Sequence, residues 1–222
     1  MNTAFVIGNG TSRKHFDLER LRGKGTIYAC NAVYRHFEPD VLIAVDPKMI
    51  HEIVSDGYHH NHVVWTNYNN GYKNYKNLNY FKPSKGWSSG PTALYKATQS
   101  SHKTIYILGF DFMGLNGGKK FNNIYADTQN YKKSAEPATY YGNWLRQTET
   151  TINSHPDIQF KRVTSDGDFS PTQLNNYVNY RNITYSEFEN EAFWTAFFKN
   201  AENTPILPGK SGFFVNTMDS LA

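Results

Sequence analysis

Strand-length apolar runs alternate with helix-length segments along this chain, and that alternation restricts the fold more than any other feature. The runs fall at residues 3–7, 26–30, 41–45, 62–65, 104–108 and 158–163. Helical segments are expected over 12–21, 47–54, 90–99 and 140–153, each opened by a turn residue or a proline. Strand alternating with helix predicts an α/β fold, a single Rossmann-like domain whose mostly parallel sheet is flanked by helices. That domain is expected to span residues 1–183. Residues 184–222 are expected to form an aromatic C-terminal helix and an extended tail that pack on it or on a neighbouring subunit.

The ends of these runs are polar: Gly8-Asn9-Gly10, Cys30-Asn31, Asp46-Pro47 and Gly109-Phe110-Asp111. Ligands of parallel sheets collect beyond the carboxyl ends of the strands, so a binding crevice is expected where these tips converge. The N-terminal run ends in Gly8-Asn9-Gly10-Thr11-Ser12, where glycines let the backbone approach a ligand and Ser12 caps the helix expected after it. A helix N-terminus there would offer free amides to a phosphate. A dinucleotide fingerprint would need a third glycine where Arg13 stands, so NAD and FAD are not expected.

The chain has 222 residues, enough for one substantial core, and no linker-like stretch in its middle. Its 23 Lys and Arg against 19 Asp and Glu leave a net charge of +4 without a basic block, which gives no electrostatic case for nucleic acid. Small anionic substrates remain compatible. A single cysteine, Cys30, rules out an internal disulfide framework and fits a reducing compartment, so a cytoplasmic setting is expected. Neither a signal-like start nor a long apolar run is present, and no transmembrane segment is expected. Asn, Lys and Tyr are abundant and have A/T-rich codons, which points to an A/T-rich genome, such as a viral one acting in its host's cytoplasm.

The polar, tyrosine-rich residues 67–79 read as a surface loop or lid, and the glycine-containing residues 113–130 as an irregular segment that orders around a ligand. Phe188, Phe193, Trp194, Phe197 and Phe198 form an aromatic stripe for core packing or self-association, which makes a homo-oligomer possible. Asp166-Gly167-Asp168 fits a metal-holding pair but also an ordinary turn, and the turn is favoured. His59, His60 and His62 lack nearby cysteine or carboxylate ligands and read as an exposed loop rather than a zinc site; no metal is expected. Cys30 reads as a small buried residue. Gly86-Trp87-Ser88-Ser89-Gly90 has the spacing of a hydrolase elbow, but Pro91 follows at once and only His102 or His155 lies downstream as a partner.

Taken in order, Ile7-Gly8-Asn9-Gly10-Thr11-Ser12, Ala29-Cys30-Asn31, Asp46-Pro47, Ser88-Ser89-Gly90 and Leu108-Gly109-Phe110-Asp111-Phe112 resemble the bacterial sialyltransferases of glycosyltransferase family 42. The likeness runs over about residues 3–165. A related domain, shared by motility accessory factors and archaeal pterin pyrophosphokinases, has a similar opening and a similar strand-end aspartate. The resemblance implies a Rossmann-like domain that binds a CMP-activated sugar such as CMP-sialic acid and transfers it to a glycan acceptor with inversion, without a metal or other cofactor. Asn9, Asn31, Ser89 and Gly90 match residues of that nucleotide pocket, and Gly8, Gly10, Thr11, Ser12, Asp46, Ser88 and Asp111 complete the expected nucleotide site. Asp46 stands where the family has asparagine; it would accept from ribose hydroxyls or help hold a cation. Asp111 is expected to orient the loop carrying Tyr125.

The chain also departs from the family. Met113 occupies the place of one phosphate-gripping tyrosine, the second being assigned to Tyr125, and Gly86 occupies the place of an arginine. Tyr140-Tyr141-Gly142-Asn143 stands where the general-base histidine is expected. Position alone makes Tyr141 the replacement base, although a tyrosine of ordinary pKa, about 10, is a poor base near neutrality. The alternatives are a magnesium-dependent, pyrophosphokinase-like enzyme and a non-catalytic binding protein, for instance of a phage, that kept the fold.

Overall fold

The computed structural model describes residues 2–194. Eight strands among them form one parallel sheet: β1 (Thr3–Ile7), β2 (Thr26–Cys30), β3 (Val41–Ile43), β4 (Val64–Asn67), β5 (Leu78–Phe81), β6 (Thr104–Leu108), β7 (Gln159–Thr164) and β8 (Tyr180–Thr184). Their spatial order is β5-β4-β3-β2-β1-β6-β7-β8, every neighbouring pair parallel. The helices are α1 (Pro47–Ser55), α2 (Ser89–Thr98), the single turn α3 (Leu115–Gly118), α4 (Gly142–Asn153) and α5 (Tyr185–Glu189). This is a Rossmann-like α/β architecture. The chain winds outward from β1 to β5 and then returns to β6 on the other side of β1, so the order reverses between β1 and β6. A crevice opens at such a reversal because the connections on either side leave in opposite directions.

The alternation of side chains along β1 explains why the sheet is covered twice. Ala4 and Val6 pack on one face with Ala93, Leu94 and Ala97 of α2 and Ile152 of α4, while Phe5 and Ile7 pack on the other with Leu21 and Phe188. All four β1 residues are fully buried. Ile50 and Ile53 of α1 cover Leu42 and Val64 in a third cluster. No helix of the described residues is long and apolar enough to cross a membrane.

Two strands, β5 and β8, are additional to the six that the apolar runs predict. Both are edge strands, half covered: β5 buries Leu78 and Phe81, β8 buries Tyr180 and Ile183, and polar residues lie between. β5 therefore falls within and just after the expected loop over 67–79. The helix expected over 12–21 is replaced by two 3-10 turns, Thr11–Arg13 and Leu18–Leu21. The break has a local cause, since the Asp17 carboxylate accepts the Glu19 amide at 3.0 Å and starts a second turn in place of a continuous helix.

The opening of the C-terminal segment packs onto the sheet. A capping box of Thr184 and Glu187 starts α5, and Phe188 sits fully buried against Tyr106, Phe16 and Phe5 at ring distances of 5.0, 5.6 and 6.0 Å. The Phe193 and Trp194 side chains, Phe197, Phe198 and the expected tail over 204–222 lie outside the described residues.

Candidate functional site

A cleft of about 350 Å³ opens above the carboxyl ends of β1, β2, β3 and β6, at the reversal point of the sheet. It gathers Gly8, Asn9, Gly10, Asn31, Asp46, Ser88, Ser89, Gly90 and Asp111, all expected from the sequence, into one lining. Thr11, Ser12, Tyr125 and Tyr141 are not part of that lining.

The floor is made by two interlocked loops. The Gly8 amide donates to the Leu108 carbonyl at 2.8 Å and the Gly10 amide to the Gly109 carbonyl at 2.9 Å. A Cβ on Gly8 would lie 2.5 Å from the Gly109 carbonyl oxygen, and one on Gly10 would overlap the Asp111 carboxyl group. The glycines thus serve the approach of one loop to the other. The amides that follow are also occupied: Thr11 donates its amide and hydroxyl to Asn122 Oδ1 at 3.0 and 2.7 Å. Ser12 donates its amide to Asp111 Oδ2 at 3.0 Å and its hydroxyl to Oδ1. With no α-helix here and its amides filled by side chains, the anion site expected at Thr11 and Ser12 is not open. Asp111 orients this turn; the loop carrying Tyr125 is held instead by the Ile124 amide on the Asn9 carbonyl at 2.8 Å.

The start of α2 is different. No side chain caps it, and the Ser88 amide is taken by Gln147 Oε1 at 3.0 Å while the Val45 amide donates to Ser89 Oγ at 3.0 Å. Ser89 and Gly90 occupy the first helical positions, whose amides have no carbonyl one turn back, and both residues face the cleft. The Val45 bond fixes this helix start to the end of β3, and Gly90 lets it close on Phe110, whose Cζ a Cβ would meet at 3.3 Å.

Asn31 lies beyond β2 with φ +53°, a left-handed conformation that costs a non-glycine residue energy, and its buried Oδ1 has no hydrogen-bond partner. Asn9 is buried and its Nδ2 donates to the Tyr131 hydroxyl at 3.1 Å. The Ala32 amide donates to that hydroxyl at 3.3 Å. Tyr131 therefore has both acceptor positions filled and its own proton uncommitted, and it lines the cleft. Burial raises its pKa well above the ordinary tyrosine value, which keeps that proton in place at neutral pH. Tyr131 is not among the site residues expected from the sequence: it falls just past the irregular segment over 113–130, and nothing in the local sequence marks it above the chain's other tyrosines. Phe110, Phe112, Met113, Phe121 and Trp144 add apolar surface to the same lining, Phe110 packing against Gly8 and Gly90. Met113, Phe121, Asn122, Asn123 and Asn130 of the irregular segment line the cleft, and Tyr131 and Lys132 just after it do so too.

Tyr125 is buried, and its hydroxyl meets His36 Nδ1 at 3.0 Å and receives Arg13 Nη2 at 3.4 Å, in a second pocket behind the Gly8–Gly10 loop. Tyr141 forms the N-cap of α4 with its ring 5.3 Å from Phe169. Asp46 is exposed, lines the cleft and caps α1, accepting the Lys48 amide at 2.8 Å through Oδ1, which leaves Oδ2 outside that bond. Cys30 is buried and burial pushes its thiol up to about 12, far from a reactive thiolate.

The competing constellations are separate from the cleft. Asp168 accepts the Ser165 amide at 2.7 Å in a turn with Gly167 at φ +83°. His59 is buried rather than exposed, its Nδ1 unpartnered, while His62 stacks on Tyr58 at 3.9 Å. His102 meets the Tyr28 hydroxyl at 3.1 Å and His155 the Thr151 carbonyl at 2.7 Å, neither in the cleft lining with Ser88 or Ser89. Among the described residues no group of three or more His, Cys, Asp or Glu gathers to hold a metal. No family model, no curated protein and no solved structure matches the chain.

Proposed function

We propose that this protein binds a CMP-activated sugar in the cleft and transfers the sugar to a glycan acceptor with inversion, as a divergent sialyltransferase-like enzyme. The observation that carries the reading is the uncapped start of α2: Ser89 and Gly90, whose amides have no carbonyl one turn back, line the same cleft as Tyr131, whose hydroxyl proton is uncommitted. Transfer from a nucleoside phosphate builds negative charge on the leaving phosphate, and preorganised amides and a tyrosine O–H stabilise charge there more than in the ground state. The Asn31 carboxamide, with a buried oxygen that has no protein partner, suits the amino group of a cytosine base. Phe110, Phe112 and Trp144 supply the apolar surface for the base or sugar ring.

Inverting transfer also needs a base for the acceptor hydroxyl. Among the described residues no histidine lines the cleft, and Tyr141 lies outside the lining. Of the two carboxylates in the lining, Asp111 is committed to Ser12, which leaves Asp46 to accept the proton.

Calorimetric titration with CMP and CMP-sialic acid, with and without magnesium, tests the reading. Binding without magnesium, followed by CMP release when a sialyl acceptor is added, is the expected result. An absolute magnesium requirement favours the pyrophosphokinase-like alternative, in which Asp46 would hold the ion. Absence of any nucleotide binding refutes the proposal.

A further inference from the structure

Two arginines lie beneath the cleft without being part of its surface. Arg13 is 3% exposed and Arg162 2% exposed. Arg13 Nε donates to the Gly8 carbonyl at 2.5 Å, and Arg162 Nε donates to the Phe110 carbonyl at 2.8 Å. Gly8 and Phe110 both line the cleft, on opposite sides of the reversal between β1 and β6. Each guanidinium is therefore fixed to the back of a cleft-forming loop.

Their other contacts are all neutral. Arg13 reaches the Tyr125 hydroxyl at 3.4 Å. Arg162 reaches the Phe169 carbonyl at 2.9 Å, and Ser170 Oγ and Asn182 Oδ1 at 3.3 Å each, with its guanidinium 5.3 Å from the ring of Phe112, another lining residue. Neither forms an ion pair among the described residues. A buried cation is costly unless something compensates it, and carbonyl dipoles alone leave its field unneutralised. Among the described residues the charged side chains that line the cleft are Asp46, Asp111 and Lys132, so that lining by itself is net negative and would repel a phosphate. Counting the two arginines behind it reverses the sign.

We infer that Arg13 and Arg162 are charge-selecting residues of the cleft: held behind its two floor loops by the Gly8 and Phe110 carbonyls, they make it select phosphorylated ligands over neutral ones without touching them. The inference rests on the nucleotide reading above and adds to it the source of selectivity for the anion. Charges in a partly dry site act on a ligand several ångströms away at an effective dielectric well below that of water, so each arginine is worth on the order of tenfold in the affinity for a phosphate. A neutral nucleoside gains nothing from either.

The test compares CMP, cytidine and inorganic pyrophosphate by calorimetry on the full chain, in wild type and in Arg13→Gln, Arg162→Gln, Arg13→Lys and Arg162→Lys, with circular dichroism confirming the native fold. The ratio of CMP to cytidine affinity is expected to fall by about tenfold in each glutamine variant and to stay within about threefold of wild type in the lysine variants. A folded glutamine variant that keeps the wild-type ratio overturns the inference. If the glutamine variants do not fold, the lysine variants decide: a retained ratio supports charge selection, and a tenfold loss in a native fold overturns it. Equal wild-type affinity for CMP and cytidine refutes the inference but spares nucleotide binding. Pyrophosphate binding without CMP binding refutes the nucleotide reading but supports the inference, and binding of no anion refutes both.

Discussion

Replacing Gly10 by alanine isolates the interlocked floor of the cleft. Gly10 has φ −64° and ψ 150°, an extended conformation that alanine adopts freely, so the substitution carries no backbone penalty. Its cost is steric: the new Cβ would overlap the carboxyl group of Asp111. Either the loops separate, breaking the hydrogen bond from the Gly10 amide to the Gly109 carbonyl, or Asp111 swings away and releases the amide and hydroxyl of Ser12. Overpacking of a closed site costs about 1–3 kcal/mol, and loss of hydrogen bonds to a carboxylate about 1.5–3 kcal/mol. Whichever response prevails, the loss is therefore about 1–3 kcal/mol, and up to roughly 6 kcal/mol where both occur, against a typical domain's 5–15 kcal/mol. Urea unfolding followed by tryptophan fluorescence measures it. Asp111→Ala removes the obstacle, so the double variant should be about as stable as Asp111→Ala alone, a coupling of about 2 kcal/mol or more. Additive losses, or a Gly10→Ala variant within about 0.5 kcal/mol of wild type, would refute the interlocked-loop account.

Other substitutions probe the walls of the cleft. Arg35 binds Glu52 through both oxygens at 2.7 Å and also holds Thr128 Oγ1 and the Gln129 carbonyl at 2.9 and 3.0 Å, so Arg35→Met should cost about 1–3 kcal/mol and open residues 125–131 to limited proteolysis. Tyr131→Phe strands Asn9 Nδ2 and the Ala32 amide; CMP release should slow by at least about tenfold, with a stability loss of about 1–3 kcal/mol, checked by turnover and denaturation together. Burial, and after it the Arg13 charge, lowers the pKa of His36. The unfolded chain then takes up the proton first as pH falls below the ordinary histidine value of about 6.5, so His36 contributes a loss of stability that grows from there down to its folded pKa. His36→Gln should flatten that part of the stability curve, and an unchanged slope between pH 7 and pH 5 would contradict the assignment.

The central strands were legible because they are buried on both faces, which demands unbroken apolar runs such as Ala4–Ile7 and Ile105–Leu108. Edge strands face no such demand, which is why Leu78 and Asn79 fall within the expected loop over 67–79 and Arg181 and Asn182 hide β8. Strand-end residues were legible as a set since a parallel sheet puts its polar tips on one rim. What the sequence could not convey is which polar groups spend their hydrogen bonds internally. Ser12 and Ser89 look alike as hydroxyls at helix starts, yet Asp111 consumes the amide of one and leaves that of the other open. Tyr125 and Tyr131 are similarly indistinguishable until Arg13 and His36 claim the first and the Asn9 side chain meets the second.

Amide chemical shifts of isotope-labelled protein during a CMP titration report whether the nucleotide engages the start of α2. The Ser89, Gly90, Asn31 and Tyr131 resonances should move together and saturably, while those of Thr11 and Ser12, whose amides are already engaged, move little. Shifts centred on Thr11 and Ser12, or no saturable change at the start of α2, would contradict the account.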